Sequence, residues 1–111
     1  APMTTILGEN MTERVIPFAQ KTGARTLPWA TSVDEWAKMR PYQRWKANDG
    51  LVRQHIKAGD NFRYIGQDPE RDVLRRQSFD LTGSELLRLE DRLVPYEVVP
   101  ADEVILTIGR R

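Results

Sequence analysis

The sequence predicts a small single domain of the α/β or α+β class, in which three to four helices pack on a mixed sheet of about five strands. The chain has 111 residues, the size of one domain. Hydrophobic residues make up 40% and charged residues 30%, which fits a modest core beneath a well-solvated surface. Strand-like and helix-like segments follow one another in the order β-α-β-α-α-β-α-β-β, which is typical of such mixed folds.

The chain begins with a strand, a helix and a second strand. Residues 4–7, Thr-Thr-Ile-Leu, form a short run rich in β-branched residues, which is typical of a strand. Residues 11–22 carry apolar side chains at helical spacing, and Gly23 is a residue type common just after a helix. Residues 24–29 predict the second strand. Two strands joined by a helix favour a parallel pair with a right-handed crossover.

Two helices are predicted next. Ser32 and Glu35 have the spacing of a capping box, which begins a short helix that ends before Pro41. Residues 42–58 form the longest helical pattern. Gly50 lies in an Asn-Asp-Gly triplet that is also a turn signal, so it can divide this helix into two pieces.

The remaining elements are a strand, a loop, a helix and a C-terminal β-hairpin. Residues 61–65 predict the strand, and the polar, charged residues 66–77 predict the loop. Residues 82–85 form a second capping-box pattern ahead of a helix. Residues 96–99 and 103–108 are two apolar runs on either side of a turn, which predicts the hairpin.

The composition argues against several classes of site. The chain has no cysteine, which excludes disulfides, thiolate zinc sites and a cysteine nucleophile. The only histidine is His55, which argues against a histidine-based metal centre, and we predict no cofactor. No apolar run approaches the roughly 18 residues of a membrane span, so we predict no membrane insertion of this domain. The start at Ala1 suggests a segment excised from a larger protein.

Charge is distributed unevenly along a chain whose net charge is +1. Residues 40–76 hold nine Lys or Arg against five acids, a net charge of +4. Residues 77–111 hold four against seven, a net charge of −3. His55, the one side chain that ordinarily titrates near neutral pH, lies in the basic part. This combination indicates an anionic substrate or partner.

Three polar residues in the long helix suggest a catalytic stripe. Arg44, Asn48 and His55 share one face if the helix is continuous. An arginine that holds a phosphate, an amide that orients it and an imidazole that moves a proton are the parts that RNA cleavage needs, because RNA supplies its own 2′-hydroxyl nucleophile. The alternative is that His55 is a boundary residue and Arg44 a solvated one.

The other arginines are candidates for nucleic-acid contacts. Arg63 lies between Phe62 and Tyr64 on a predicted strand, where it can hold the scissile phosphate while an aromatic ring stacks on a base. Four more arginines are candidates for contacts with the RNA backbone: Arg53, Arg71, Arg75 and Arg76. The alternative is ordinary surface charge, or a basic patch that meets an acidic protein.

Two weaker patterns remain open. Asp60, Asp68 and Glu85 can form a carboxylate set for Mg²⁺ in a nuclease, although Asp68 also fits a turn with Pro69 and Glu85 a capping box. Residues 8–11 lie at a strand-to-helix turn, where open α/β sheets gather ligands, although Asn10 is also a good helix cap.

Six short motifs follow one another through most of the chain. They are Thr5-Ile6-Leu7-Gly8-Glu9-Asn10-Met11 with Arg14-Val15, then Thr22-Gly23-Ala24, Gln43-Arg44-Trp45-Lys46-Ala47-Asn48, Ala58-Gly59-Asp60, Ile65-Gly66-Gln67-Asp68-Pro69, and Ser78-Phe79 followed by Glu85. In this order they resemble the C-terminal toxin domains of bacterial polymorphic toxins, including effectors of contact-dependent growth inhibition.

The resemblance implies a biological setting. The domain would belong to a secreted or cell-surface effector and would act in the cytoplasm of a neighbouring bacterium. A cognate immunity protein, acidic where it faces the basic stretch, would neutralise it. Nuclease activity, often against tRNA, is a common outcome in such toxins.

The function predicted from the sequence is therefore a metal-independent ribonuclease toxin. His55 would be the acid or base, Arg44 and Arg63 would hold the scissile phosphate, and Asn48 would orient the substrate. The alternatives are a non-catalytic basic module that binds an acidic protein or RNA, and a toxin with DNase or NAD-consuming activity.

Overall fold

A four-stranded parallel sheet lies at the centre of the fold. The computed structural model describes residues 3–8, 10–28, 32–66 and 81–109. Within them the strands are β1 (Thr4–Leu7), β2 (Arg25–Thr26), β3 (Asn61–Tyr64) and β4 (Glu97–Val98). Their order is β2-β1-β3-β4, and each neighbouring pair is parallel.

Helices cover both faces of this sheet. The five in the described residues are α1 (Ile16–Thr22), α2 (Val33–Lys38), α3 (Pro41–Lys57), α4 (Leu81–Asp91) and α5 (Ala101–Ile108). A π-helical turn, Met11–Val15, leads directly into α1. The helices α1 and α5 pack together, and α3 packs on α4. The chain is thus a small, compact α+β domain.

Two apolar cores separate the layers. The first core lies between the sheet and α1 with α5, and consists of Ile6, Val15, Phe18, Ala19, Ile65, Val99 and Val104. The second core lies between the sheet and α3 with α4, and consists of Leu7, Leu27, Val52, Phe62, Tyr64, Leu86 and Leu89. Successive side chains of β1 enter different cores, as the two-residue period of a strand requires.

The local signals at the start of the chain are confirmed. The first strand has the predicted bounds, and the first helix ends at Gly23, whose φ of 70° is the left-handed conformation that glycine adopts easily. The first capping box forms in full: Glu35 N–H donates to Ser32 Oγ at 3.2 Å, and Ser32 N–H donates to Glu35 Oε1 at 3.3 Å. The second strand is shorter than predicted.

The long helix is continuous. It spans 17 residues from Pro41 and passes through Gly50 without a break. Proline fits the first turn because a backbone N–H at that position has no acceptor within the helix, so its absence costs no hydrogen bond. No atom of the described residues lies within 4 Å of where a Cβ on Gly50 would be, so none of them requires glycine at this position.

The C-terminal hairpin is the main error of the sequence-based prediction. Residues 97–98 form β4, which pairs with β3 in parallel, and residues 101–108 form α5. Pro100 immediately precedes this helix, and Asp102 with Glu103 occupies its first turn, where negative charge stabilises a helix. Burial of Val104 on the first core then favours the helix over a strand. The described residues form four parallel strands, where five in a mixed sheet were predicted.

The prediction of a second capping box at residues 82–85 is also wrong. The helix α4 begins at Leu81, so residues 82–85 lie inside it. The Glu85 carboxylate instead accepts a hydrogen bond from Asn48 Nδ2 at 2.8 Å, which joins α4 to α3.

A paired arginine and aspartate give a testable link between α3 and α4. Arg88 donates from Nε and Nη2 to the two oxygens of Asp49, at 2.8 and 2.9 Å, and this hydrogen bonding raises the pKa of Arg88. Asp49 is buried, so we expect Asp49→Ala to lower the free energy of unfolding by about 2–3 kcal/mol in urea denaturation. Arg53 contacts the same carboxylate but is 49% exposed, so Arg53→Ala is expected to cost less than about 1 kcal/mol. Equal losses in the two variants would contradict this account.

Candidate functional site

The predicted catalytic stripe does not form one site. Arg44 donates to the carbonyl oxygens of Trp36 and Ala37 at the end of α2, at 3.0 and 3.4 Å, and lies over the Trp36 ring. Asn48 binds Glu85, as described above. His55 contacts the sheet. Eleven residues of helix separate Arg44 from His55, a rise of roughly 16 Å. The three side chains therefore contact three different parts of the fold, namely the end of α2, α4 and the sheet.

The other predicted arginines are also dispersed. Arg63 lies on the opposite face of the sheet from His55, over the Phe18 ring, and donates to Glu97 Oε1 at 3.1 Å and to Glu103 Oε2 at 3.5 Å. Arg53 is half-exposed beside Asp49. Arg71, Arg75, Arg76 and the predicted carboxylate Asp68 lie outside the described residues.

His55 instead belongs to a polar cluster that we call the Asp60 cluster. It consists of the buried residues Thr5, His55 and Asp60 and the partly exposed Arg25. His55 Nδ1 lies 2.8 Å from Asp60 Oδ2, and the Thr5 hydroxyl donates to the same oxygen at 2.6 Å. Arg25 donates from Nη2 to both Asp60 oxygens at 2.7 Å and from Nε at 3.1 Å. The cluster lies at the amino ends of β1, β2 and β3.

The charge of Asp60 fixes the orientation of the imidazole. Burial alone raises the pKa of Asp60, but hydrogen bonds from Thr5, Arg25 and His55, together with the charge of Arg25, outweigh it and hold this pKa below its ordinary value. The ionised carboxylate only accepts hydrogen bonds, so Nδ1 of His55 carries the proton and donates it. The Thr5 hydroxyl, 3.0 Å from Nδ1, can share that donor.

The second nitrogen of the His55 imidazole, Nε2, is available to accept or donate a proton. Nε2 makes no hydrogen bond within the described part of the chain. Within the described residues, Ser84 Oγ is the only fully buried side-chain nitrogen or oxygen that lacks a hydrogen-bond partner. Nε2 of His55 also lacks a partner but is not fully buried, so it reaches solvent. The His55 side chain keeps 11% of its surface exposed. A histidine held through Nδ1 by a carboxylate, with Nε2 accessible, has the arrangement of a general acid or base.

A cavity of about 440 Å³ opens at the same edge of the sheet. Thr4 and Asn61, two of its lining residues, are the chain neighbours of Thr5 and Asp60. Tyr96 and Arg63 also line it, so Arg63 borders this edge although it does not touch His55. Two exposed lysines in the last turns of α1 and α3, Lys21 and Lys57, add positive charge nearby.

The sequence offered only part of this cluster. His55 was predicted, but Thr5 and Arg25 were placed in strands without a role, and Asp60 was considered only as a metal ligand or a turn residue. The available signal was the spacing of His55 and Asp60 around Gly59, whose φ of 82° reverses the chain after α3. Glu85 lies on α4 and Asp60 at the amino ends of the strands, and no group of three metal-binding side chains occurs in the described residues.

Comparison of the chain with protein-family models, curated protein sequences and solved structures finds no match. None of the described helices is long and apolar enough to cross a membrane.

Proposed function

We propose that this domain is the toxin of an interbacterial competition effector and that it cleaves RNA without a metal ion. The hydrogen-bonded pair of His55 and Asp60 is the observation that carries the ribonuclease part of the proposal. The toxin part rests on the order of the sequence motifs. One of those motifs, Ala58-Gly59-Asp60, contains the carboxylate that holds His55.

The reaction follows from the orientation of the imidazole. Nε2 of His55 accepts the proton of a ribose 2′-hydroxyl, whose oxygen forms a bond to the adjacent phosphorus. The bond from phosphorus to the 5′-oxygen breaks, which leaves a 2′,3′-cyclic phosphate, and that oxygen takes up a proton from water. The hydroxide left behind takes the proton from Nε2, which restores the neutral imidazole. Asp60 stabilises the imidazolium that forms, because it is an ionised carboxylate 2.8 Å from Nδ1.

Arg25 is the cation next to the proposed base. Its Nη2 and the His55 Nδ1 both lie within 2.8 Å of Asp60 Oδ2, and 40% of its side chain is exposed. We assign to Arg25 the phosphate-stabilising role that was predicted for Arg44, because Arg44 lies far from His55 along α3. Arg63, predicted from the sequence to hold the scissile phosphate, lies on the other face of the sheet from His55. We reassign it to a flanking nucleotide, since it lines the cavity at this edge. We propose that the substrate is RNA, that an acidic immunity protein neutralises the domain, and that the domain acts in the cytoplasm of a target bacterium.

The test is incubation of the purified domain with total tRNA in EDTA, beside expression of the same domain in bacteria. We expect the RNA to be cleaved and growth to stop. Intact RNA at concentrations that stop growth would overturn the ribonuclease assignment. Normal growth of cells that contain the folded domain would overturn the toxin assignment and favour a binding module.

A further inference from the structure

The cavity beside the Asp60 cluster falls in the size range of small-ligand sites. Its volume is about 440 Å³, and pockets for small ligands range from about 300 to 1,000 Å³. Arg63, which lines it, lies on the face of the sheet opposite His55. Thr4 lines the cavity and Thr5 belongs to the Asp60 cluster, and consecutive strand residues lie about 3.8 Å apart with side chains on opposite faces. An RNA chain that crosses this edge of the sheet can therefore place a phosphate at His55 and a neighbouring base in the cavity.

Tyr96 is the aromatic side chain that a ligand in this cavity can reach. Phe62 also lines the cavity but is only 2% exposed, whereas Tyr96 is half-buried. The Tyr96 ring packs edge-on against the Tyr64 ring, with the two ring centroids 6.2 Å apart and the ring planes at 72°. This contact holds the Tyr96 ring and leaves part of it exposed. Proteins commonly hold the bases of single-stranded RNA by stacking them on such rings.

Three polar side chains around the cavity have unused hydrogen-bonding atoms. Glu97 accepts from Arg63 Nε through Oε1 at 3.1 Å, and its Oε2 has no partner in the described parts of the chain. Arg63 uses Nε and Nη2 for Glu97 and Glu103, and its Nη1 has no partner among the same residues. The Asn61 side chain likewise makes no hydrogen bond with any described residue. A few polar groups that converge beside an aromatic ring are typical of a ligand pocket.

These donors and acceptors match guanine. Guanine is the RNA base whose Watson–Crick edge carries two adjacent donors, N1–H and N2–H, beside the acceptor O6. The two oxygens of a carboxylate can accept such a pair of donors, and an arginine N–H can donate to O6. Glu97 and Arg63 lie side by side at the cavity and supply both groups. Adenine, cytosine and uracil have only one donor group on this edge, so they would form fewer hydrogen bonds.

We propose that this cavity binds a guanine base of the RNA substrate and that Glu97 is the residue that selects it. Tyr96 stacks on the base, Glu97 accepts from N1–H and N2–H, and Arg63 donates to O6. The inference rests on the proposed function for its choice of RNA as the ligand, and it adds that cleavage occurs at phosphates next to guanosine. Glu103 offers a matched comparison, because it also pairs with Arg63, at 3.5 Å, but is not among the residues that line the cavity.

The experiment is a calorimetric titration of the domain with the 5′-monophosphates of guanosine, inosine, adenosine, cytidine and uridine. We expect the guanosine nucleotide to bind at least about fivefold more tightly than each of the others. Inosine is the sharpest comparison, because its base differs from guanine only by the missing N2 amino group. Equal affinity for the guanosine and inosine nucleotides, or tighter binding of another base, would overturn the selection of guanine.

Two glutamine variants test the role of Glu97. Glu97→Gln replaces one acceptor oxygen by a donor, so we expect the affinities for the guanosine and inosine nucleotides to come within about twofold of each other. Glu103→Gln makes the same charge change beside Arg63 and is expected to keep the guanine preference. An unchanged preference in Glu97→Gln, or an equal loss in Glu103→Gln, would show that Glu97 does not contact the base.

A leucine variant tests the role of Tyr96. Tyr96→Leu keeps an apolar side chain but removes the ring, so it is expected to weaken the binding of all five nucleotides by a similar factor of at least about fivefold. Unchanged affinities in this variant would contradict stacking on Tyr96.

Cleavage of tRNA separates this inference from the proposed function. Cleavage next to guanosine, with the preference lost in Glu97→Gln, supports both. Guanine-selective binding by a domain that leaves RNA intact supports the pocket and overturns the ribonuclease. Cleavage without base preference, together with equal binding of the five nucleotides, supports the ribonuclease and overturns the pocket.

Discussion

Replacement of Asp60 by alanine is expected to lower the free energy of unfolding by about 3–5 kcal/mol, the usual result of removing one partner of a buried ionic cluster. The change removes the buried carboxylate that accepts from the Thr5 hydroxyl and from His55 Nδ1, and it also leaves Arg25 without its carboxylate. Arg25 adds less to the loss than the other two, because its side chain is 40% exposed and water screens its charge. Urea denaturation near neutral pH measures the effect.

The same cluster predicts how stability depends on pH. The pKa of Asp60 is lower in the folded protein than its ordinary value of 3.8, so the folded state favours the ionised form. The stabilisation is therefore complete above the unfolded pKa and is lost as the pH falls through the lower, folded value. We expect the difference in stability between the wild type and Asp60→Ala to narrow as the pH falls below 3.8.

An exposed aspartate gives the matched control for Asp60. Asp91 is 65% exposed and contacts Arg88 at 3.4 Å, so Asp91→Ala is expected to cost less than about 1 kcal/mol. Two results would show that the ionised Asp60 cluster does not stabilise this part of the fold. One is a loss of unfolding free energy in Asp60→Ala no larger than in Asp91→Ala, and the other is an equal loss in Asp60→Ala at pH 3 and pH 7.

Replacement of His55 by asparagine is expected to slow RNA cleavage by about 10²–10⁴-fold, the usual contribution of a general acid or base. The asparagine Nδ2 takes nearly the place of the imidazole Nδ1, so it can still donate to Asp60, but nothing replaces Nε2. The free energy of unfolding is expected to change by less than about 1.5 kcal/mol, because the buried hydrogen bond is kept. Cleavage of tRNA in EDTA and urea denaturation of the same preparation measure the two effects.

Alanine and asparagine at position 55 together separate catalysis from stability. His55→Ala removes both nitrogens, so it is expected to lose cleavage and to be less stable than His55→Asn. Cleavage by His55→Asn within about threefold of the wild type would show that Nε2 does not transfer the proton, because loss of a general acid or base costs far more. The cluster would then serve only to attach the end of α3 to the sheet.

Local patterns identified most elements, because the signals that form them lie within a few residues of each other. The first strand is the four-residue run Thr-Thr-Ile-Leu next to a glycine, and the capping box of α2 is complete within Ser32 and Glu35. The long helix was recognised from its periodicity, and Gly50 did not interrupt it. At the C-terminus the local pattern was ambiguous, because the apolar residues 104–108 suit a strand or a helix. Burial of Val104 in the first core favours the helix over the strand.

The sequence by itself determined that this is a small domain of alternating strands and helices, with a basic middle section and one histidine on its longest helix. The tertiary structure alone decided which side chains meet. Helical phase places Arg44, Asn48 and His55 on related faces, but the elements packed against α3 differ along its length, so each residue finds a different partner. The residues that surround His55 in the Asp60 cluster come from three strand beginnings. Parallel strands bring Thr5, Arg25 and Asp60 to one edge although they are up to 55 residues apart. Such contacts depend on strand order and register, which no local pattern contains.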